Sequence, residues 1–244
     1  MLNAIIDEIS VNERLLLSDI KFKIEQNKIY SVLGSNGSGK TTLIKSLSGL
    51  LDKRFYSVKG KVFYKELDLL SAGYEQMLSI RRKKIKYVFQ DAVNSFDHLK
   101  KFEYYFKLTA GKDSELENLL DYFLLPGVEK LFRLYPYEVS GGMAQRISFV
   151  LALLADPEIL ILDEPTSGID SAISNLFLLK LKEFASIQNH TALLVTHDIK
   201  FAKKISDEIA FISKGKFYNF VPALKFFENE NIIINNFLTL DISF

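Results

Sequence analysis

Residues Gly34-Ser35-Asn36-Gly37-Ser38-Gly39-Lys40-Thr41 follow the spacing G-x-x-x-x-G-K-[ST], a pattern that cradles phosphate only where a strand delivers the loop and a helix leaves it. The β-rich run Ile29-Tyr30-Ser31-Val32-Leu33 precedes it and the helical-looking Thr42–Leu51 follows, so that context is expected here. Glycines at 34, 37 and 39 let the backbone turn its N–H groups against phosphate oxygens. The helix starting near Lys40 adds unpaired N–H donors and the positive end of its dipole. Lys40 supplies a full charge toward the β- and γ-phosphates, and the hydroxyl of Thr41 is placed to ligate Mg²⁺. Residues Gly34 to Thr41, with Thr42, are the candidate nucleotide-binding set. A Gly/Ser-rich turn before a helix is the bland alternative, and strand, spacing and the Lys-Thr pair together argue against it.

The 244 residues can form one large domain or two small ones. Lysine and arginine number 31 against 30 acidic residues, a net charge of +1, so no global field argues for nucleic acid. The absence of cysteine excludes disulfides, a cysteine nucleophile and a thiolate zinc site. Met1–Ser10 carries Asp7 and Glu8 and lacks the features of a signal peptide, which points to the cytosol. No stretch approaches about 18 uninterrupted apolar residues, so any membrane connection is expected through a partner.

Strands are expected over residues 2–33, at Gly60–Tyr64 and at Ile85–Gln90, the last following the basic run Arg81–Lys84, which reads as a solvated face or, less favoured, a binding patch. From Ser95 to Val139 the pattern turns helical, with Leu116, Leu119, Leu120 and Phe123 at i, i+3, i+4 and i+7. Beyond it come a helix from Gly141, the strand Ile159–Leu162, a helix through Ile173 to Phe184, the strand Ala192–Val195, the helix Ile199–Ile205, and strands at Glu208–Ile212 and Lys216–Phe220. This alternation implies an α/β core of mainly parallel sheet with helices on both faces. We expect one domain over 1–244, with an N-terminal antiparallel β subdomain, a helical subdomain at about 95–155 inserted in the core, and a short extension at 221–244. In that extension Ile232–Ile234 and Phe237/Leu238 are candidates for docking on the core or a partner.

Further chemistry gathers at strand ends. Asp163 follows the run Ile159–Leu162 where a carboxylate can hold a Mg²⁺ shell, and Glu164 where one can polarise water. His197 follows another strand at the edge where open α/β sheets bind ligands, a plausible γ-phosphate contact. Gln90 offers an amide donor and a carbonyl acceptor to sense metal and water.

Taken with Ser140-Gly141-Gly142, the segment Ser167-Gly168-Ile169-Asp170 and the order of all six motifs, the chain resembles the nucleotide-binding subunit of an ATP-binding cassette transporter, from about residue 2 to about 220. The resemblance implies the P-loop NTPase fold, ATP and Mg²⁺ as cofactors, and Thr41, Gln90 and Asp163 around the metal. It implies Glu164, His197 and Gln90 in catalysis, and Asp170 in a dimer-interface loop. It further implies that the signature Ser140, Gly141 and Gly142, with Gln145, faces the ATP of a second subunit. Tyr135–Arg146 and Val88–Ser95 are similar to the signature and glutamine-loop regions of subunits that drive uptake of peptides and nickel. Phe96-Asp97-His98 departs from a Leu-Asn-Pro-like run, Ala92 stands where Pro is usual, and the cysteine-containing extension of many peptide members is missing; these tip the reading toward metal or metal-chelate members. Val11-Asn12-Glu13-Arg14 lacks the aromatic residue usual for stacking on adenine.

The expected partners are a second, different ATPase subunit, two transmembrane permease subunits and, through them, an extracytoplasmic solute-binding protein. The expected location is peripheral, on the cytoplasmic face of the membrane, with no nucleic-acid partner. A soluble single-cassette ATPase acting on nucleic acid or ribosomes, a non-enzymatic regulator and an exporter subunit are the rival readings.

Overall fold

The computed structural model describes residues 1–109, 113–228 and Phe237; Ile232–Ile234 and Leu238 lie outside the described residues. A single ten-stranded sheet runs through the molecule. Its parallel part, at one end, is made of β3 (Ile29–Leu33), β6 (Ile85–Val88), β7 (Ile159–Asp163), β8 (Thr191–Thr196) and β9 (Glu208–Ser213). They lie in the order β9-β3-β8-β7-β6, parallel throughout. β1 (Leu2–Val11), β2 (Arg14–Ile24), β4 (Tyr56–Tyr64) and β5 (Leu67–Asp68) form the antiparallel part, joined to the core by β10 (Lys216–Pro222), antiparallel to β9 and parallel to β2.

Side-chain alternation explains why the core strands are apolar end to end. Ile159, Ile161, Leu193 and Val195 point to one face, packing with Leu43, Ile44 and Leu47 of helix α1 (Lys40–Leu47). Leu160, Leu162, Ala192 and Leu194 point to the other, packing with the helices that follow β6. Both faces are buried, so both sets must be apolar.

The helical segment between β6 and β7 comprises α3 (Phe102–Leu108), α4 (Asp113–Tyr122), α5 (Val128–Arg133), a 3₁₀ turn at Pro136–Glu138, and α6 (Gly141–Leu154). The spacing of Leu116, Leu119, Leu120 and Phe123 places all four in the core; Leu124, with φ +52°, ends that run. Phe149 of α6 stacks on Phe177 of α7 (Ser171–Ser186) at 4.5 Å and 14°, and Phe123 packs edge-on against both.

Boundaries differ from the sequence reading in instructive ways. α1 stops at Leu47 because Gly49 turns to φ +61° and Arg81, on α2 (Tyr74–Lys83), donates to the carbonyls of Ser48 (3.0 Å) and Gly49 (2.5 Å). Within the basic run, Arg81 thus clasps a helix end. β6 ends at Val88 because its partner register ends at Leu162, which leaves Phe89 and Gln90 beyond the sheet. β4 begins at Tyr56, since residues before Gly60 continue the ladder with β1. Past α8 (Ile199–Ile205) and β10, Phe226 of α9 (Ala223–Phe227) is buried with Leu33, Ala202 and Phe211, and Phe237 lies 4.9 Å from the Phe211 ring.

Glu158 anchors the entry to β7. It accepts from Tyr64 and Lys84, both at 2.6 Å, and pairs with Lys65 at 2.8 Å. Burial opposes its charge, but these donors outweigh that cost and hold its carboxyl at about 2. A depressed folded-state pKa stabilises fully above the ordinary value of 4.5, and that contribution disappears as pH falls through about 2. Glu158→Gln should therefore cost about 1–2 kcal/mol in urea unfolding at pH 7. The gap to the unsubstituted protein should narrow as pH drops below 4.5; a pH-independent gap would assign the loss to packing instead.

Candidate functional site

Because β3, β8, β7 and β6 are parallel neighbours, their carboxyl ends open on one edge of the sheet. That order gathers the loop Gly34–Gly39 after β3, His197 after β8, Asp163 and Glu164 at the end of β7, and Gln90 beyond β6.

The loop's glycines have local reasons. A Cβ on Gly34 would lie 2.6 Å from the Ile212 carbonyl oxygen of β9, and Gly39 starts α1 with φ +103° against Leu17. Ser38 Oγ is buried with no hydrogen-bond partner among the described residues. An unsatisfied hydroxyl beside the free N–H groups of a helix start suits an oxyanion.

Lys40 is turned inward. Its Nζ donates to the carbonyls of Gly34 (2.8 Å) and Ser35 (3.2 Å) and lies 3.2 Å from Glu164 Oε1, with both side chains only 6% exposed. Glu164 Oε2 accepts from the His197 backbone N–H at 3.2 Å and lies 2.9 Å from His197 Nδ1. Glu164 also holds a left-handed backbone, φ +46°, fixed by its N–H to the Val195 carbonyl. A non-glycine residue kept there stores strain, as functional turns commonly do.

Asp163 sits beside this triad. Thr41 Oγ1 donates to its Oδ1 at 2.8 Å and Tyr87 Oη to its Oδ2 at 2.9 Å. Burial holds the Asp163 carboxyl above its usual range, although these two hydroxyls act in the opposite direction. Thr41, Gln90 and Asp163 line one cavity of about 450 Å³ with Lys45. They are hard oxygen donors, the kind Mg²⁺ takes alongside phosphate oxygens. Among the described residues no cluster of three or more His, Cys, Asp or Glu could hold a metal ion.

A second cavity, of about 460 Å³, borders the loop on the side of Arg14, Leu15, Leu16, Ser213, Lys214 and Gly215. No aromatic ring is among its lining residues, in keeping with the missing aromatic at Val11–Arg14.

The residues Ser140–Gly142 line neither cavity. Ser140 caps α6, accepting from the Met143 N–H at 3.2 Å, and the space above Gly141 is open. A Cβ on Gly142 would meet Ile169 and Gly168, so the start of α6 and the segment 167–170 form one surface, with Asp170 capping α7 through the Ile173 N–H. Gln145 lies one turn into α6, at i+4 from Gly141 and so on the same side of the helix, but it is only 3% exposed. Its Nε2 has no partner among the described residues. Tyr87 was missed, because a tyrosine in a short strand reads as an ordinary strand former, and only the β6–β7 pairing brings it to Asp163.

The family model described as ABC transporter matches residues 17–167. The dipeptide transport ATP-binding protein DppD of Caldanaerobacter subterraneus is 35% identical over 221 residues, covering 86% of this chain and 67% of that protein. The metal-staphylopine import system ATP-binding protein CntD of Staphylococcus aureus is 31% identical, covering 82% of this chain and 77% of that protein. The chain spans about two thirds of the length of the peptide-transport relatives it matches, 63% to 67%. Among solved structures, one titled an ATP binding subunit of an ABC transporter superposes with a TM-score of 0.78 at 22% identity, covering 98% of both chains, a likeness of fold.

Removing Lys40 would leave Glu164 buried without its cation. Lys40→Ala should weaken nucleotide binding at least about tenfold and destabilise the nucleotide-free protein by about 3 kcal/mol. Adding Glu164→Gln should recover most of the stability and none of the binding, as read by thermal melts and titration with a fluorescent ATP analogue; additive losses in stability would contradict the pairing.

Proposed function

The chain belongs to the ABC transporter family of ATP-hydrolysing cassettes, and from that premise we propose that it powers an importer taking up oligopeptides or metal chelates. The observation that carries this reading is the placement of two half-sites on separate surfaces. Lys40, Glu164 and His197 form one, and the open start of α6 at Ser140 and Gly141 the other. A second cassette facing this one would bring its own α6 start against the loop Gly34–Thr41.

In the proposed cycle, the phosphates of ATP compete with Glu164 for Lys40. Their oxygens replace the carbonyls of Gly34 and Ser35 and the carboxylate at 3.2 Å, and Glu164 is released to orient or deprotonate water. His197, freed from the same carboxylate, stabilises charge on the γ-phosphate. Bound Mg²⁺ supplies charge neutralisation on the phosphate oxygens, and Thr41, Gln90 and Asp163 are the residues that would hold it. Asp170 and the segment before it sit beside the α6 start, where a partner cassette would meet both.

No helix among the described residues is long and apolar enough to cross a membrane, so transport requires membrane-spanning partners, and we assign the chain a peripheral place on their cytoplasmic side. A second, different ATPase subunit, two permease subunits and an extracytoplasmic solute-binding protein complete the proposed assembly. Relatives named as dipeptide, oligopeptide and metal-staphylopine transport proteins support this reading over a cassette acting on nucleic acid or an exporter.

Glu164→Gln should abolish turnover yet retain ATP, shifting the protein toward a dimer with its cassette partner on size exclusion. Ser140→Arg should block that dimer while leaving nucleotide affinity of the isolated chain within about twofold. In the purified complex, ATPase stimulation by a peptide-loaded or a chelate-loaded solute-binding protein identifies the cargo. Recovery of the chain only with ribosomes or nucleic acid would overturn the transporter reading.

A further inference from the structure

We infer that Tyr87 is a positioning residue for Asp163, using its hydroxyl to hold the carboxylate in the orientation that receives a divalent cation. The assignment rests on the reading of Asp163 as a metal-holding group. Asp163 is 1% exposed, so both of its oxygens need donors from within the protein. Thr41 satisfies Oδ1, and Thr41 is itself a hydroxyl expected to turn toward a cation. Tyr87 satisfies Oδ2 at 2.9 Å and has no other hydrogen bond to its hydroxyl among the described residues.

Its position suits the task. Tyr87 and Ile161 are register partners in β6 and β7, so the ring rises beside the end of β7 from a paired strand and not from a loop. The ring also meets Phe89 at 4.5 Å, and Phe89 lines the same cavity as Gln90. One side chain thereby ties the orientation of Asp163 to the start of the glutamine segment. A phenylalanine would fill the same space, so a purely packing role makes no use of the hydroxyl.

Tyr87→Phe removes that hydroxyl and keeps the ring. In the full chain, binding of a fluorescent ATP analogue is titrated in EDTA and then against Mg²⁺, for the unsubstituted protein, Tyr87→Phe, Asp163→Asn and the double variant. In EDTA, Tyr87→Phe should bind the analogue within about twofold of the unsubstituted protein, whereas its Mg²⁺ half-saturation should rise about tenfold, the size expected for one hydrogen bond to a charged group. On the Asp163→Asn background the same change should have no further effect.

Equal weakening in EDTA and in Mg²⁺ would make Tyr87 a packing residue and overturn the assignment. So would a full Tyr87→Phe effect on the Asp163→Asn background. If Mg²⁺ does not tighten binding in the unsubstituted protein, the reading of Asp163 as metal-holding fails first, and the role of Tyr87 falls with it.

Discussion

A buried cation and a buried anion cannot be left alone, and in this molecule they are left to each other: Lys40 and Glu164, each 6% exposed, meet at 3.2 Å. Lys40 begins α1 and Glu164 follows β7, so the pair fastens the phosphate loop to a strand that is two places away in the sheet. Thr41 and Asp163 repeat the fastening one residue further along each element. The parallel order of β3, β8 and β7 makes these contacts reachable, and the apolar layers on both faces keep them dry. A buried pair of this kind adds little net stability, because desolvation offsets attraction. Its consequence is functional: an arriving polyanion finds a lysine whose present partner is the group the chemistry needs free.

Much of this was legible in the residues. The strand Ile29–Leu33, the loop and the helix after it were readable because glycine placement, a β-rich run and Lys-Thr form a local code. The helix Ile199–Ile205 and the start of α6 were equally local, the latter because Ser140 is a natural cap before two glycines. Element ends were harder, since long-range partners set them. α1 ends where Arg81, more than thirty residues away, takes the carbonyls of Ser48 and Gly49 just past it, and β6 ends with its last pair to β7, Val88 and Leu162.

The site divided in the same way. The sequence named Lys40, Asp163, Glu164 and His197 one at a time and gave each a separate task, whereas the structure couples Lys40, Glu164 and His197 through one carboxylate. Tyr87 was silent because its meaning lies in a neighbouring strand, and the burial of Gln145 one turn below Gly141 was equally invisible in the motif. Motif spelling locates the chemistry; the pairing of strands decides which groups share it.

A structure determined with a non-hydrolysable ATP analogue and Mg²⁺ bound would test the displacement of Glu164 directly. Lys40 Nζ should have left Glu164 and the carbonyls of Gly34 and Ser35 for phosphate oxygens, with the Glu164 carboxylate turned toward the space beyond the γ-phosphate. A Lys40–Glu164 distance still near 3.2 Å with the analogue seated in the loop would contradict it.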